Sequence, residues 1–233
     1  MARRPWVLRM RWLDLLFAHW PVDADALAAL LPAGLDLDLR DGKAWLGIVP
    51  FTMADVAPRG FPPFGRFSRF PEINVRTYVR LREEPGIFFL SLDAASRPTV
   101  EGARRVFHLP YFNSRMSSTR ADGTIHYRSR RADRRGSPSS FEARFRPTGP
   151  IETAADGSLE AWLTDRKRLF SVDRRGRIWR TEIEHPSWPL QPAEAEVGGN
   201  TMAAAAGLLL PDRPPHLRFA SRLDVRAWPP RPA

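Results

Sequence analysis

The sequence predicts an α+β fold in which mostly antiparallel strands form a barrel or a sandwich, with a few short helices added. Three observations support this class. Short segments of alternating polar and apolar residues recur along the chain, separated by turns that are rich in glycine and proline. The segments with helical periodicity are short. Strands and helices do not alternate regularly, which argues against a parallel α/β sheet.

The first 60 residues predict a strand, a short helix and a hairpin. The segment WLDLLFAHWPV is typical of a strand. In DADALAALLPAGL, Asp23 is placed to cap a helix whose leucines share one face, and Pro32 with Gly34 ends that helix. Asp41-Gly42 then predicts a tight turn between LDLDLR and AWLGIVPFTM, which is the strongest hairpin pattern in the chain.

The rest of the chain continues as short strands with a few helical segments. The segments are, in order, a loop rich in Pro, Gly and Phe (57–70), a strand FPEINVRTYVR (70–80), an apolar strand IFFLSLDA, a helix in RPTVEGARRVF, a strand HLPYFNSRMSS (108–118), hairpin arms around Asp122-Gly123, a strand SSFEARFRPTG, a helix SLEAWLTDRKRLF capped by Ser158, a strand GRIWRTEIEHPSWPL, a helix NTMAAAAGLLLP and a strand HLRFASRLDVRAW. We expect one domain over residues 1–228 and a frayed tail at 229–233. The loop 57–70 is either a lid or interface segment, or its phenylalanines pack onto the side of the barrel.

The charge and composition exclude several classes of protein. The net charge is +10, and 34 of the 36 basic residues are arginine. This favours anionic partners, but the arginines are scattered, and the densest cluster (126–136) lies in a predicted hairpin arm and turn. No helix-turn-helix, zinc-finger or RNA-binding pattern is present, so we expect no nucleic-acid partner. No apolar run approaches the roughly 20 residues of a membrane span, and no signal-peptide pattern is present, so we expect a cytoplasmic protein without a membrane partner.

The sequence patterns of the common catalytic and cofactor sites are missing. The chain has no cysteine, and its five histidines show neither metal-ligand spacing nor an accompanying carboxylate cluster. Two of them, His19 and His185, are more typical of satisfied, partly buried histidines. The G-x-S-x-G elbow and the glycine patterns of dinucleotide and phosphate loops are absent. We therefore expect no metal and no cofactor.

The strand at 70–80 carries an unusual polar face. Glu72, Asn74, Arg76 and Tyr78 occupy alternate positions and therefore point to one face, while apolar residues point to the other. On a solvated strand, Glu72 and Arg76 would form an exposed ion pair of small value. The strand follows an apolar loop and precedes a very hydrophobic strand, which places it centrally. A central strand with a polar face favours a closed barrel that holds a ligand.

At this point the sequence resembles the acetoacetate decarboxylase-like superfamily, and within it the uncharacterised YqjF-like branch. The phrases that carry the resemblance are HWPVDADAL, LLPAGL, DGKAWLGIVPFTM, FPEINVRTYV, FLSLDA, ARRVFHLPYFNSRM, HPSWPL and LDVRAW, in the same order through nearly the whole chain. The resemblance implies a mostly antiparallel β-barrel or cone of the acetoacetate decarboxylase-like type with a small-molecule pocket. It also implies that a homo-oligomer is possible, since relatives assemble into oligomers.

The resemblance excludes the chemistry for which the superfamily is named. Acetoacetate decarboxylases carry a Tyr-Pro-Lys-Lys phrase whose first lysine forms a Schiff base with the substrate. The corresponding phrase here is Leu109-Pro110-Tyr111-Phe112, so a tyrosine stands at the position of that lysine. The only lysines, Lys43 and Lys167, lie in other segments. Glu72 matches the pocket glutamate of the family.

Three functions remain open for the expected pocket. As an enzyme, the protein would use Glu72 as general acid or base and Tyr111 as proton donor or oxyanion stabiliser in the enolisation, dehydration or cyclisation of a small carbonyl compound or carboxylate. The expected substrate-binding residues are Asn74, Arg76, His108, Asn113 and Arg115, with Arg76 as anchor for a carboxylate and Asn113 and Arg115 in alternation with Tyr111. Alternatively, the pocket binds a metabolite without changing it. In the third alternative, Glu72, Asn74 and Arg76 form a closed structural network without a ligand.

Overall fold

The computed structural model describes residues 5–63 and 65–233. Its strands are β1 (Leu8–Val22), β2 (Asp36–Leu37), β3 (Ala44–Pro58), β4 (Phe70–Leu81), β5 (Glu84–Ala94), β6 (Tyr111–Ala121), β7 (Thr124–Arg131), β8 (Ser140–Pro147), β9 (Arg168–Val172), β10 (Ile178–Glu184), β11 (Leu190–Asn200), β12 (His216–Ala227) and β13 (Arg231–Pro232). The helices are α1 (Ala24–Ala28), α2 (Arg97–Val106), α3 (Leu159–Thr164) and α4 (Met202–Ala205), with a single 3-10 turn at Gly65–Ser68. Within the described residues, no helix combines the length and the apolar composition needed to cross a bilayer.

Nine strands close into a barrel. They follow each other in the order β4, β5, β6, β7, β8, β11, β12, β1 and β3, and β3 pairs back to β4. Within the described residues the pairs β5–β6 and β5–β9 are parallel and the other strand pairs are antiparallel, so the sheet is mixed. The barrel alternative is therefore confirmed, with a few short helices around it.

Two further strands close a second chamber on the same wall. β9 pairs with β5 through Ile87 and Leu169, and β10 pairs with β12 through Ile183 and Ala227. A second ring of seven strands results, in the order β10, β9, β5, β4, β3, β1 and β12. The five strands β12, β1, β3, β4 and β5 belong to both rings, and we call them the shared wall.

Both faces of the shared wall are buried. Leu16 and Ala18 of β1 pack with Ile73 of β4 and with the inner residues of β7 and β8, which fill the nine-stranded barrel. Leu15 and Phe17 pack on the other face, with residues of β10, α2 and α3 in the second chamber. Because successive strand residues point to opposite faces, the polar face of 72–78 lies in the second chamber and the apolar face of β4 lies in the barrel core.

The predicted caps formed, but the predicted hairpin did not. Asp23 accepts a hydrogen bond from the Ala26 amide at 2.7 Å, and Ser158 caps α3. Asp41 and Gly42 make the turn with positive φ angles of 51° and 71°. The segments on either side of the turn do not pair with each other beyond one bridge, since β3 already pairs with β1 and β4 on its two edges and β2 pairs with β4 instead.

Three other segments are compared with the sequence prediction, namely β11, the C-terminal tail and the loop 57–70. The strand β11 was not predicted, and it closes the barrel between β8 and β12. The tail is not frayed, because Pro232 pairs with Trp179 of β10 and Arg231 donates a hydrogen bond to Glu182 at 2.6 Å. In the loop 57–70, Phe61 is exposed and Phe70 is buried, and Phe64 lies outside the described residues.

Candidate functional site

A cavity of about 450 Å³ lies in the second chamber, between the shared wall and α2. This volume is in the range of small-molecule sites. Most of its wall is apolar, and its larger apolar side chains include Trp12, Phe51, Phe89, Phe107, Leu109 and Trp188. The cavity reaches the surface beside the end of α2, because Val106 lines it and is 54% exposed.

The polar face of β4 enters this cavity through three side chains. Glu72, Asn74 and Arg76 all line it, and all three are buried. Tyr111, the first residue of β6, lines the same cavity. The structure therefore brings together four of the residues that the sequence singled out.

Glu72 and Tyr111 form a buried hydrogen-bonded pair. The Tyr111 hydroxyl donates to Oε2 of Glu72 at 3.0 Å. Burial raises the pKa of Glu72 to about 8, against the opposing effect of the Tyr111 hydrogen bond. Burial, together with the nearby Glu72, also raises the pKa of Tyr111 well above its usual value. At neutral pH both groups therefore keep their protons, and Glu72 is a carboxylic acid that can donate a hydrogen bond.

The sheet register and α2 place Tyr111 beside β4. α2 carries the chain back across the sheet, so β6 runs parallel to β5 with Tyr111 opposite Leu92. Arg104 of α2 fixes this strand end by donating to the Tyr111 carbonyl oxygen at 2.6 Å. Tyr127 of β7 fixes the other partner, since its hydroxyl donates to the Glu72 carbonyl oxygen at 2.6 Å.

Arg76 is a buried cation without a counter-charge. Its Nη2 donates to the Leu163 carbonyl oxygen at 3.3 Å, and its guanidinium lies 5.3 Å from the centre of the Phe17 ring. Its Nε has no hydrogen-bond partner. Among the described residues no carboxylate forms an ion pair with Arg76, and a buried arginine cannot lower this cost by losing its proton. The cavity therefore offers a positive charge to an anionic group of a ligand.

Tyr78, the fourth polar residue of this face, supports Arg76. Its hydroxyl donates to the Leu163 carbonyl oxygen at 2.7 Å and lies 2.7 Å from Nε2 of His19. Burial, and then the charge of Arg76, hold the pKa of His19 well below its usual value, so the imidazole is neutral. Since the Tyr78 hydroxyl donates its proton to Leu163, Nε2 of His19 carries a proton and donates to Tyr78. Gly47 permits the contact, since a Cβ there would lie 2.8 Å from His19 Nε2.

Asn74 completes the polar face with an amide oxygen that has no partner. The Asn74 side chain is 5% exposed, and its Oδ1 makes no hydrogen bond. It lies between Glu72 and Arg76 in the alternation of β4, so a ligand that spans these two groups passes Asn74.

Two residues of the cavity with ionisable side chains, Arg166 and His185, were not among the predicted site residues. Arg166 lines it, pairs with Asp38 at 2.6 Å and lies 4.4 Å from the Trp162 ring centre. His185 also lines it, with Nδ1 2.8 Å from the Pro186 carbonyl oxygen and with Nε2 unpartnered. Since a carbonyl oxygen only accepts, Nδ1 carries the proton and Nε2 is a free acceptor. Burial lowers the pKa of His185 and keeps this form neutral.

Three predicted residues lie outside the cavity. The His108 ring lies 4.9 Å from the Trp179 ring at a tilt of 45°, and His108 lines a separate surface cleft. The backbone N–H of Asn113 donates to Asp133 at 3.1 Å, and Arg115 is exposed. The reason is the path of β6, which pairs with β5 only as far as Asn113 and with β7 from Ser114 onwards, so its later residues leave the chamber.

Neither lysine lines the cavity. Lys43 is exposed in the 41–42 turn, and Lys167 is exposed and lies 3.5 Å from Asp165. In the described part of the chain, no group of three or more His, Cys, Asp and Glu side chains is placed to hold a metal ion.

The barrel with its internal chamber defines the class: this is the fold of the acetoacetate decarboxylase-like enzymes. Acetoacetate decarboxylase from Legionella pneumophila subsp. pneumophila str. Philadelphia 1 superposes with a TM-score of 0.70 at 14% identity, over 100% of this chain and 92% of that chain. The enduracididine biosynthesis enzyme MppR complexed with pyruvate gives a TM-score of 0.67 at 12% identity, over 100% of this chain and 91% of that chain. An acetoacetate decarboxylase-like enzyme from Sphingomonas wittichii RW1 gives a TM-score of 0.65 at 13% identity, over 99% of this chain and 94% of that chain. At these identities the likeness concerns the fold.

The chain belongs to the DUF2071 family, described as an uncharacterized conserved protein, which matches residues 9–224. The uncharacterized protein YqjF of Bacillus subtilis (strain 168) is 43% identical to it over 224 residues, 96% of this chain and 91% of that protein. The resemblance to the YqjF-like branch, which the sequence motifs indicated, is thereby confirmed.

Proposed function

We propose that the chamber binds a small oxo-carboxylic acid and catalyses proton transfer next to its carbonyl group without an imine intermediate. The observation that carries this proposal is the pairing of two features in one cavity. Glu72, hydrogen-bonded to Tyr111, supplies a neutral acid, and Arg76 supplies a positive charge without a counter-charge.

Arg76 and Asn74 hold the substrate. The guanidinium binds the substrate carboxylate in charge-assisted hydrogen bonds, which are stronger inside a poorly hydrated cavity. Asn74 offers its amide group to a second polar atom of the substrate. The apolar wall of Trp12, Phe51 and Trp188 excludes water and surrounds the carbon chain.

Glu72 and His185 move the protons. Glu72 donates its proton toward the carbonyl oxygen of the substrate, and Tyr111 stabilises the carboxylate that forms on Glu72. The neutral His185 imidazole also lines the cavity and takes the proton from the adjacent carbon. The product is an enol, from which isomerisation, dehydration or cyclisation can follow.

The experiment combines binding with proton exchange. Thermal unfolding against a panel of 2-oxo and 3-oxo carboxylates identifies ligands, since a hundredfold excess over Kd stabilises the native state by about 2.7 kcal/mol. Loss of the α-proton signal in D₂O, followed by NMR, then reports catalysis. We expect Arg76→Ala to lose the thermal shift, and Glu72→Gln to keep the shift but to lose about 10²-fold or more of the exchange rate. Glu142→Gln, an exposed strand carboxylate, is the matched control. Unchanged exchange in Glu72→Gln would exclude the enzyme.

A second candidate function is ligand binding without chemistry. No lysine, cysteine or serine is among the described residues that line the cavity, so a covalent nucleophile of these types is absent there. In that case the Arg76-dependent thermal shift would remain, while no compound of the panel exchanges its α-proton in the wild type.

The contacts disfavour a closed structural network. Glu72 bonds to Tyr111, Arg76 bonds to the Leu163 carbonyl, and Asn74 Oδ1 has no partner, so the three side chains do not satisfy one another.

A further inference from the structure

A second concave site lies where β5 changes partners. β5 pairs with β9 through Ile87 and Phe88, and with β6 from Leu92 onwards. β9 ends and β6 begins along this edge of β5, and both run parallel to it. A cleft of about 960 Å³ covers this junction, and its floor includes the half-buried Phe88 and Leu90. Its residues are different from the polar residues of the inner cavity.

Six arginines from separate segments line this cleft. They are Arg104 and Arg105 of α2, Arg135, and Arg174, Arg175 and Arg177 of the β9–β10 turn. The lining includes two acidic residues, Glu101 and Asp173, and each already has a partner. Glu101 pairs with Arg135 at 2.8 Å, and Asp173 pairs with Arg177 at 2.7 Å.

Four of these guanidinium groups are left without a carboxylate. Within the described residues, Arg104, Arg105, Arg174 and Arg175 form no ion pair. Burial, and then the charge of the nearby Arg135, lower the pKa of Arg104 against the opposing charges of Asp133 and Glu101, and Arg174 adds a smaller lowering effect. Like charges that are gathered in one cleft repel each other, and a bound anion removes this cost.

The backbone of the turn and the Arg104 side chain are held in place before any ligand binds. The Asp173 carboxylate accepts the backbone amides of Arg175 at 2.9 Å and Arg177 at 3.0 Å, and also the indole N–H of Trp179 at 3.1 Å. These bonds brace the turn that carries Arg174. On α2, Arg104 is fixed by its bond to the Tyr111 carbonyl oxygen. Groups held in this way lose little conformational freedom when a ligand binds.

We propose that this cleft binds a small molecule that carries two or more linked phosphate groups, through Arg104, Arg105, Arg174 and Arg175. Four positive charges exceed what a single carboxylate would neutralise, and the planar guanidinium fork matches phosphate oxygens. The concave shape and the apolar floor fit a compact ligand with a body beyond its phosphates. The site is independent of the chemistry proposed for the inner cavity.

The test is calorimetric titration at constant ionic strength near 0.15 M, with inorganic pyrophosphate and adenosine 5′-diphosphate as probes. Arg105→Ala/Arg174→Ala removes one charge from α2 and one from the turn. Arg130→Ala/Arg213→Ala is the matched control, because both side chains are exposed and line none of the clefts described above. Thermal unfolding verifies that both variants are folded.

We expect the wild type and the control to bind alike, and the cleft variant to bind about tenfold more weakly or worse. Tighter binding of the nucleotide than of pyrophosphate would support the site and place the nucleoside on the apolar floor. Equal binding would support a site for the phosphates alone. The proposal would be overturned if the wild type bound neither probe, or if the control lost as much affinity as the cleft variant, since the attraction would then be a property of the whole basic surface.

Discussion

Glu72 and Arg76 lie on one buried strand face, yet burial affects the two groups differently. A carboxylate that leaves water can bind a proton, and the pKa of Glu72 rises to about 8 for this reason. A guanidinium cannot give up its proton, so Arg76 stays charged and keeps its need for an anion. The two residues therefore place an acid and a cation in the same cavity without forming an ion pair with each other.

The raised pKa of Glu72 makes stability depend on pH in a defined direction. The native state holds the proton up to a pKa of about 8, whereas the unfolded state releases it near 4.5. The contribution of Glu72 to the free energy of unfolding is thus fully present below pH 4.5. It is lost as the pH rises toward 8, and the total loss is about 4 to 5 kcal/mol. Glutamine at this position cannot ionise. We expect Glu72→Gln to lose stability less steeply than the wild type between pH 5 and pH 8 in urea unfolding, and to be the more stable protein at the upper end.

The control for this comparison is Glu142→Gln, whose carboxylate is about half exposed beside Arg128. Its curve should parallel that of the wild type above pH 5. Parallel curves for Glu72→Gln and the wild type over the same range would show that the pKa of Glu72 is the same in the native and unfolded states.

At the residue scale, local periodicity could reveal only the part of the site that one strand carries, and Tyr111 of β6 was found through the family resemblance. Period two places Glu72, Asn74 and Arg76 together without any knowledge of the fold. Arg166 and His185 come from distant segments. Arg166 precedes β9 and His185 follows β10, so their positions depend on the pairing of these two strands with β5 and β12. Arg166 meets Asp38 over a separation of 128 residues, which no local pattern encodes.

At the element scale, the junction of β5, β6 and β7 is held by a fully buried ion pair. Arg131 of β7 donates to Asp93 of β5 at 2.6 Å, and Ser114 of β6 donates to the same carboxylate at 2.7 Å. Asp93 is 0% exposed. The Phe112 ring covers the guanidinium of Arg131 at 4.0 Å. These contacts join three strands where a parallel pair meets an antiparallel one.

Removing the charge of Asp93 should destabilise this junction strongly. Asp93→Asn leaves Arg131 buried without its counter-charge, and breaking a buried pair in this way costs about 3 to 5 kcal/mol. Urea unfolding followed by circular dichroism measures the loss. The matched variant is Arg128→Ala, which breaks an exposed pair between β7 and β8 and should cost no more than about 1 kcal/mol. Equal effects of the two substitutions would mean that Asp93 does not hold the junction.

The elements that the sequence predicted are those with a strong local pattern. β4 alternates cleanly, and α2 and the two capped helices carry their own end signals. β11 was missed because its inner face carries Ala193 and Ala195 in place of the β-branched or aromatic residues typical of strands, and Gly198 and Gly199 follow. Its pairing with β8 and β12 makes it a strand. The 41–42 turn formed as predicted, but the register of β2 is set by competition for the edges of β3 and β4, which a local pattern does not contain.

At the scale of the whole molecule, one wall serves two chambers with different contents. The nine-stranded barrel is filled by its own side chains, including the fully buried Tyr127, Phe141 and Phe145. The second chamber keeps a cavity of about 450 Å³ open beside the same wall. One face of the five strands thus packs against a filled core, and the other face packs around an open cavity.

This division predicts opposite effects of one substitution in the two chambers. Ala143 of β8 is 2% exposed in the filled barrel, so Ala143→Leu adds volume where no space exists and should cost about 1 to 3 kcal/mol. Ala103 of α2 lines the cavity, so Ala103→Leu adds the same atoms to open space, buries further apolar surface and should be neutral or stabilising. Urea unfolding gives both values, and thermal shifts with the oxo-carboxylate panel should shrink for Ala103→Leu because the cavity is partly filled. If Ala103→Leu destabilises the protein as much as Ala143→Leu does, the second chamber is as tightly packed as the barrel and has no room for a ligand.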